Sequence, residues 1–152
     1  MAANMKALQL VLDLRKREEE TALEIYSIAM QQLAFFRDQI EKLKEYRMEY
    51  VHELEERGRK EGFRAGTYIS FQGFLKKLDD IIARQIQQMH LLELDVDQKH
   101  KIYLMRQKRR KIIEKLIEKY EEQRIKAENK AEQKLLDEFA VAQVHRRRME
   151  EA

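Results

Sequence analysis

The position of the glycines constrains this sequence more than any other feature. All four, Gly58, Gly62, Gly66 and Gly73, lie in the stretch RGRKEGFRAGTYISFQGF, and the chain contains no proline. Glycine inside a helix costs about 1 kcal/mol relative to alanine, because its backbone loses more freedom on folding. The residues on either side are mostly Glu, Lys, Gln, Leu, Arg and Ala, which favour helices. The sequence therefore predicts one helix, a turn at about residues 57–68, and a second helix.

The composition is typical of long helices that bury a narrow apolar seam. Charged residues make up 39% of the chain, apolar residues make up 43%, and the mean hydropathy is −0.74. A disordered chain would have fewer apolar residues and a net charge further from zero than +3. We therefore expect a coiled coil rather than a compact globular domain or a disordered chain.

The first helix is predicted at about residues 5–56 from a heptad repeat. Alternating steps of four and three residues trace a stripe that is apolar except at Arg47. This 3.5-residue period indicates a left-handed coiled coil. The backward extension of the stripe thins near Arg15 to Glu20. The residues of the main stripe are Ala22, Tyr26, Ala29, Leu33, Phe36, Ile40, Leu43, Arg47, Tyr50 and Leu54.

The second helix is predicted at about residues 69–145, with Thr67 or Ser70 supplying a capping oxygen at its start. Its seam becomes polar between Asp95 and Lys101 and basic from Arg106 to Lys111. It recovers at Ile113, Leu116 or Ile117, and Tyr120. The first part of the seam runs through Phe71, Phe74 or Leu75, Leu78, Ile82, Gln85, Met89, Leu92 and Val96.

These patterns predict an all-α fold in which residues 1–152 form a single coiled-coil domain, an antiparallel hairpin whose C-terminal helix is the longer one. The first helix is long enough to cover the second helix only to about Glu121. The stretch from Glu122 to Arg147 is then left without a partner, although it contains Leu135, Leu136 and Phe139. Exposed apolar clusters usually mark binding surfaces, so this stretch is the best candidate site from physical reasoning alone.

The residues needed for catalysis or cofactor binding are sparse. The chain has no cysteine, and its glycines match neither a phosphate-binding loop nor a dinucleotide fingerprint. We therefore expect no enzyme activity and no cofactor. The pairs Glu49 and His52, and Asp97 and His100, have the spacing of metal ligands on a helix, but a di-metal bundle needs two more helices. Solvated histidines are the preferred interpretation, and no membrane span is expected.

Two basic runs and a group of aromatic residues each allow two interpretations. The runs at Arg106 to Lys111 and His145 to Arg148 could bind phosphates, but glutamates follow the first run and no aromatic residues accompany the arginines. We therefore expect no nucleic-acid partner. The aromatic residues near the turn form either an apolar plug that closes the hairpin or a partner surface; they are Phe63, Tyr68, Phe71 and Phe74.

Two segments resemble the flagellar export protein family FliJ, of the FliJ/YscO group of type III export stalk proteins. The segment KAENKAEQKLLDEFA, Lys126 to Ala140, is similar to the family's C-terminal signature. The segment YISFQGFLKKL, Tyr68 to Leu78, is similar to the family's entry into its second helix. The resemblance implies a two-helix antiparallel coiled coil without enzyme activity, located in the cytoplasm at the inner face of the membrane at the flagellar base.

The same resemblance implies partners and contact residues. The partners are the hexameric export ATPase FliI, the export gate protein FlhA and possible export chaperones. The gate contact carries over onto Phe74, Leu78, Ile81 and Gln85, although Gln85 departs from the histidine expected there. The ATPase contact carries over onto the unpaired end of the second helix, at Gln133, Leu135, Leu136, Asp137, Glu138 and Phe139.

Three alternatives stay open at this point. A stalk protein of a virulence type III secretion system would share the architecture, although the C-terminal segment favours the flagellar family. A basic coiled-coil protein would bind nucleic acid with a steep dependence on salt. A homodimer of long helices would pair the first seam between chains, but it would not need four glycines in one place.

Overall fold

Two helices account for almost all of the protein. The computed structural model describes residues 2–62 and 64–151, with side chains described in 4–62 and 64–151. Helix α1 spans Ala2–Glu61, 60 residues, and α2 spans Ala65–Glu151, 87 residues. The all-α hairpin with a longer C-terminal helix is therefore confirmed. Both helices extend beyond the predicted bounds, and the single-domain organisation stays a prediction.

The turn is shorter than the glycine pattern indicated. Only Gly62 to Arg64 separate the two helices, and Gly62 has a φ of +71°, the left-handed conformation that glycine adopts most easily. The backbone N–H of Tyr68 donates to the carbonyl of Arg64 at 3.1 Å, as α2 begins. The prediction that Thr67 or Ser70 caps α2 was wrong, because both lie inside the helix and the Ser70 hydroxyl donates to the Gly66 carbonyl.

One compact unit runs from Glu19 to Met105 and contains the turn. Every residue of the predicted α1 stripe from Ala22 to Leu54 is buried or half-buried in it, as are Phe71, Leu75 and the later α2 seam positions to Val96. The stripe prediction is confirmed because a 3.5-residue period keeps one face of each helix turned toward the other. The buried members, each less than a tenth exposed, are Ala22, Ala29, Leu33, Ile40, Leu78 and Ile82.

Aromatic packing closes this unit near the turn. The ring of Tyr50 on α1 lies 5.3 Å from Phe71 and 4.6 Å from Phe74 on α2, measured between centroids. Tyr68 is exposed, and its hydroxyl accepts a hydrogen bond from Gln72. Phe63 lies outside the described residues. The predicted apolar plug therefore consists of Phe71 and Phe74, which pack against Tyr50. The sequence had predicted Tyr50 as a seam residue but not as part of the plug.

The second compact unit combines α1 up to Glu18 with α2 from Arg106 onward. Leu12 is buried in it, and Glu18 accepts hydrogen bonds from Arg15 at 3.1 Å and from Arg106 at 3.3 Å. A charged residue at the polar interruption of the α1 seam thus binds a charged residue at the interruption of the α2 seam. Each of these part-buried charges therefore has a hydrogen-bond partner. Tyr120 is exposed and Glu121 is half-buried instead, so the predicted seam position at Tyr120 was wrong by one residue.

Candidate protein-binding surfaces

The C-terminal part of α2 is an uncovered helix. Residues 122–151, the C-terminal overhang, are all exposed, whereas Glu121 is still half-buried. This confirms that α1 covers α2 only to about Glu121. Leu135 and Phe139 are 66% and 64% exposed, and Leu136 beside them is exposed as well. A helix that is exposed on all sides and carries such apolar residues is typical of a binding surface.

The predicted ATPase-contact residues divide between two faces of the overhang. Leu135 and Phe139 are four residues apart, so they lie on one face, and Leu136 lies beside them. Gln133 and Asp137 lie on another face, where the Gln133 amide donates to the Asp137 carboxylate at 3.2 Å. Glu138 is also exposed. The apolar face is therefore the part of the predicted set that a partner would desolvate most favourably.

The predicted gate-contact residues differ in accessibility. Phe74 and Ile81 are exposed, Gln85 is half-buried, and Leu78 is buried in the seam. Phe74 also packs on Tyr50, so its ring is fixed from one side. A partner at this position could contact Phe74 and Ile81 directly, while Leu78 holds the helix beneath them.

An open groove of about 540 Å³ lies between the helices of the unit from Glu19 to Met105. Across this groove, Arg37 of α1 forms a 3.0 Å salt bridge with Glu93 of α2. A ring nitrogen of His90 lies 3.3 Å from the carboxylate of Glu93. The hydrogen bond from Arg37 lowers the pKa of Glu93 below its ordinary value, and the hydrogen bond with His90 adds a smaller effect in the same direction. The remaining lining residues are Tyr26, Met30, Leu33, Ala34, Val96, Asp97 and His100.

Arg47, the one charged residue in the α1 stripe, has a partner on α2. Its guanidinium donates to both carboxylate oxygens of Asp79, from Nε at 2.5 Å and from Nη2 at 3.2 Å. These hydrogen bonds lower the pKa of Asp79 and raise the pKa of Arg47. Such a two-point contact adds geometric specificity to the alignment of the two helices.

The Arg47–Asp79 pair predicts a pH-dependent stability. Because the folded-state pKa of Asp79 is lowered, its contribution is present above the unfolded-state pKa of about 4 and is lost as the pH falls through the folded-state value. The Asp79→Asn variant should therefore have a slightly lower Tm than the parent at pH 7, and the difference should be smaller at pH 2. Circular dichroism melts at both pH values measure it.

Asp80 supplies the matched control for that experiment. It is an exposed neighbour with no ion pair among the described residues, so Asp80→Asn should leave Tm nearly unchanged at either pH. A Tm difference for Asp79→Asn that persists undiminished at low pH would contradict the assignment to the charge pair.

The predicted metal pairs are arranged as ordinary side-chain contacts. His52 is exposed and lies 3.4 Å from Glu56. His100 is half-buried, with its ring 5.0 Å from that of Tyr26, so the preference for a solvated histidine was wrong at this position. Within residues 4–62 and 64–151, no group of three or more possible ligands is close enough to hold a metal ion.

The first basic run is partly neutralised within the chain. Arg106 binds Glu18, and Arg110 binds Glu114 at 2.9 Å, while Lys108 and Lys111 are exposed. Two of the five cations in this run therefore have a carboxylate partner within the chain.

Comparison with known families identifies the chain. The family model described as Flagellar FliJ protein matches residues 5–149 of the 152 residues. The chain belongs to the flagellar FliJ family. No curated protein and no solved structure matches it. In the described part of the chain, neither helix contains a stretch long and apolar enough to cross a membrane.

Membership in the FliJ family confirms the resemblance carried by the segments at Lys126 and Tyr68, and it makes this chain a flagellar export-related protein. The polar contacts between the helices were not foreseen. Their signal was available in part, because Arg37 and Glu93 each lie four residues after an apolar seam position, Leu33 and Met89. Flanking positions of this kind carry interhelical salt bridges in coiled coils.

Proposed function

We propose that this FliJ-family protein is a stalk component of the flagellar export apparatus that binds the hexameric ATPase FliI through its C-terminal overhang. The observation that supports the proposal is the uncovered apolar face of Leu135, Leu136 and Phe139 on a helix that continues to Glu151. An isolated helix with such a face gains free energy by packing in a groove of another protein. The protein itself catalyses no reaction in this proposal.

The proposed gate contact lies near the start of α2. Phe74 and Ile81 are exposed on that helix, and Gln85 is half-buried. Leu78 is buried in the seam between α2 and α1. Binding of FlhA at this surface, and of FliI at the overhang, would connect the ATPase with the export gate. The protein would then act in the cytoplasm, peripherally at the membrane, where it could also receive export chaperones and so support motility.

ATP hydrolysis by the cognate flagellar export ATPase, measured with and without this protein at moderate salt, tests the proposal. We expect the full-length protein to raise the rate of hydrolysis and to promote assembly of the ATPase ring, because it stabilises the assembled state. Ring assembly is followed by light scattering or electron microscopy in the same samples.

The necessary control is evidence that the hairpin is folded, which a helical circular dichroism spectrum provides. No change in hydrolysis or assembly from a folded protein would contradict the proposed ATPase contact. Binding of the cytoplasmic part of FlhA is measured separately, so that failure of one contact does not decide the other.

A further inference from the structure

Helix α1 carries a second heptad stripe that the hairpin does not cover. Its residues recur in steps of four and three, as those of the buried seam do, and all are exposed in a chain with 39% charged residues. Phe35, the largest of them, is 64% exposed. None of the six residues is charged. The uncovered stripe consists of Thr21, Ile25, Ile28, Gln32, Phe35 and Gln39.

The uncovered stripe and the groove spanned by the Arg37–Glu93 salt bridge lie on opposite sides of the seam. Arg37 and Glu93 each follow a seam residue by four positions, and their salt bridge marks one side of the helix pair. Ile25 and Gln32 instead follow the buried residues Ala22 and Ala29 by three positions, which places them on the other side.

Helix α2 supplies a second wall on that side. Ile102 follows the seam residue Lys99 by three positions, so it stands on the same side of the helix pair as Ile25. Ile102, Met105 and Leu91 are all exposed. The buried residues between the two walls include Ala22 and Ala29, whose small side chains allow the two helices to approach closely. A further helix on this side would therefore have exposed apolar residues of both helices to pack against.

The charges beside the uncovered stripe indicate what kind of helix fits. The residues on the outer edge of α1 recur every seven positions, and three of the four are acidic: Glu24, Gln31, Asp38 and Glu45. Asp38 is paired with Lys42, whereas Glu24 and Glu45 have no ion pair among the described residues. A helix with Lys or Arg along the facing edge would supply the missing counter-charges.

We propose that the uncovered stripe binds an amphipathic helix of another protein, with an apolar seam and a basic edge, as the third helix of a local bundle. A second copy of this chain is a poorer occupant. Antiparallel pairing of two copies through the stripe would bring the acidic edges together, and like charges at such positions oppose association. This surface is separate from the C-terminal overhang, so the proposal does not depend on ATPase binding.

Two synthetic peptides of about three heptads, both with a leucine seam, provide the probe. One has lysine along the edge beside the seam, and the other has glutamate at the same positions. Fluorescence anisotropy with the full-length protein should show that the lysine peptide binds, and binds at least about tenfold more tightly than the glutamate peptide.

Variants of the protein locate the binding to the stripe. Ile28→Asp and Phe35→Asp should each weaken binding of the lysine peptide at least about tenfold, because a charge would be buried against the peptide's apolar seam. Met48→Asp is the matched control, since Met48 is an exposed apolar residue of α1 outside the stripe. It should bind as the parent does, and all three variants should keep the parent's helicity in circular dichroism.

Three results would overturn the proposal. The first is no binding of the lysine peptide, and the second is equal binding of both peptides. The third is a concentration-dependent dimer of the parent protein, seen by sedimentation, that Phe35→Asp abolishes, because the stripe would then be occupied by a second copy.

Discussion

Replacing Leu135 and Phe139 together with aspartate should abolish stimulation of the export ATPase while leaving thermal unfolding of the hairpin nearly unchanged. Both side chains are about two-thirds exposed, so the substitution removes little buried area from the folded chain. In the proposed complex the same side chains would be desolvated. Two buried carboxylates there would cost several kcal/mol, enough to reduce binding by roughly three orders of magnitude or more.

The matched control for this double variant lies on the opposite side of the same helix. Val141 is two residues beyond Phe139, about 200° away around the helix, and is also highly exposed. Val141→Asp should therefore retain ATPase stimulation. If Val141→Asp also abolished stimulation, the contact could not be assigned to the face of Leu135 and Phe139. If the double variant lowered Tm by many degrees, these residues would belong to the folded core instead.

The seam could be predicted from the sequence because it depends on a simple period. A residue repeated every 3.5 positions returns to the same face of a supercoiled helix, whatever the neighbouring charges are. All ten predicted stripe positions from Ala22 to Leu54 are at least half-buried for this reason, including Arg47. The length of the overhang followed as well, since it depends only on where the chain turns and on the number of residues in each arm.

The details that depend on particular side chains could not be predicted in the same way. Arg47 appeared only as an interruption, because its partner Asp79 is distant in sequence and becomes a neighbour only when the register of the hairpin is known. The start of α2 was placed too late, because Gly66 was taken for a helix breaker. A single glycine costs only about 1 kcal/mol, which a long helix tolerates.

The candidate sites were predictable to different degrees. Exposure of Leu135 and Phe139 followed from the unequal arms alone. For the predicted gate-contact residues, the resemblance supplied the positions but could not say that Leu78 is buried while Phe74 and Ile81 are exposed. That difference comes from the rotation of α2 about its own axis, which is set by packing against α1.

The second large effect is expected in the seam. Ile40 is the most deeply buried of the residues whose side chains the structure describes, at 3% exposure. Ile40→Ala should reduce the free energy of unfolding by about 2–4 kcal/mol. The loss combines the transfer of the deleted methylene and methyl groups with the cavity that remains. Two helices form a single layer of packing, so few other contacts exist to compensate. Urea unfolding followed by circular dichroism measures the change.

Met48→Ala controls for the change in side-chain size and helix propensity. Met48 is on the same helix but 70% exposed, so its truncation should change the free energy of unfolding by less than about 0.5 kcal/mol. Equal, small effects of both substitutions would mean that the seam is not closed at Ile40 in solution. A large effect of Ile40→Ala, with an unchanged slope of the unfolding free energy against urea concentration, would instead show that this narrow seam stabilises the unit from Glu19 to Met105. It would also explain why this chain can leave residues 122–151 uncovered and still fold.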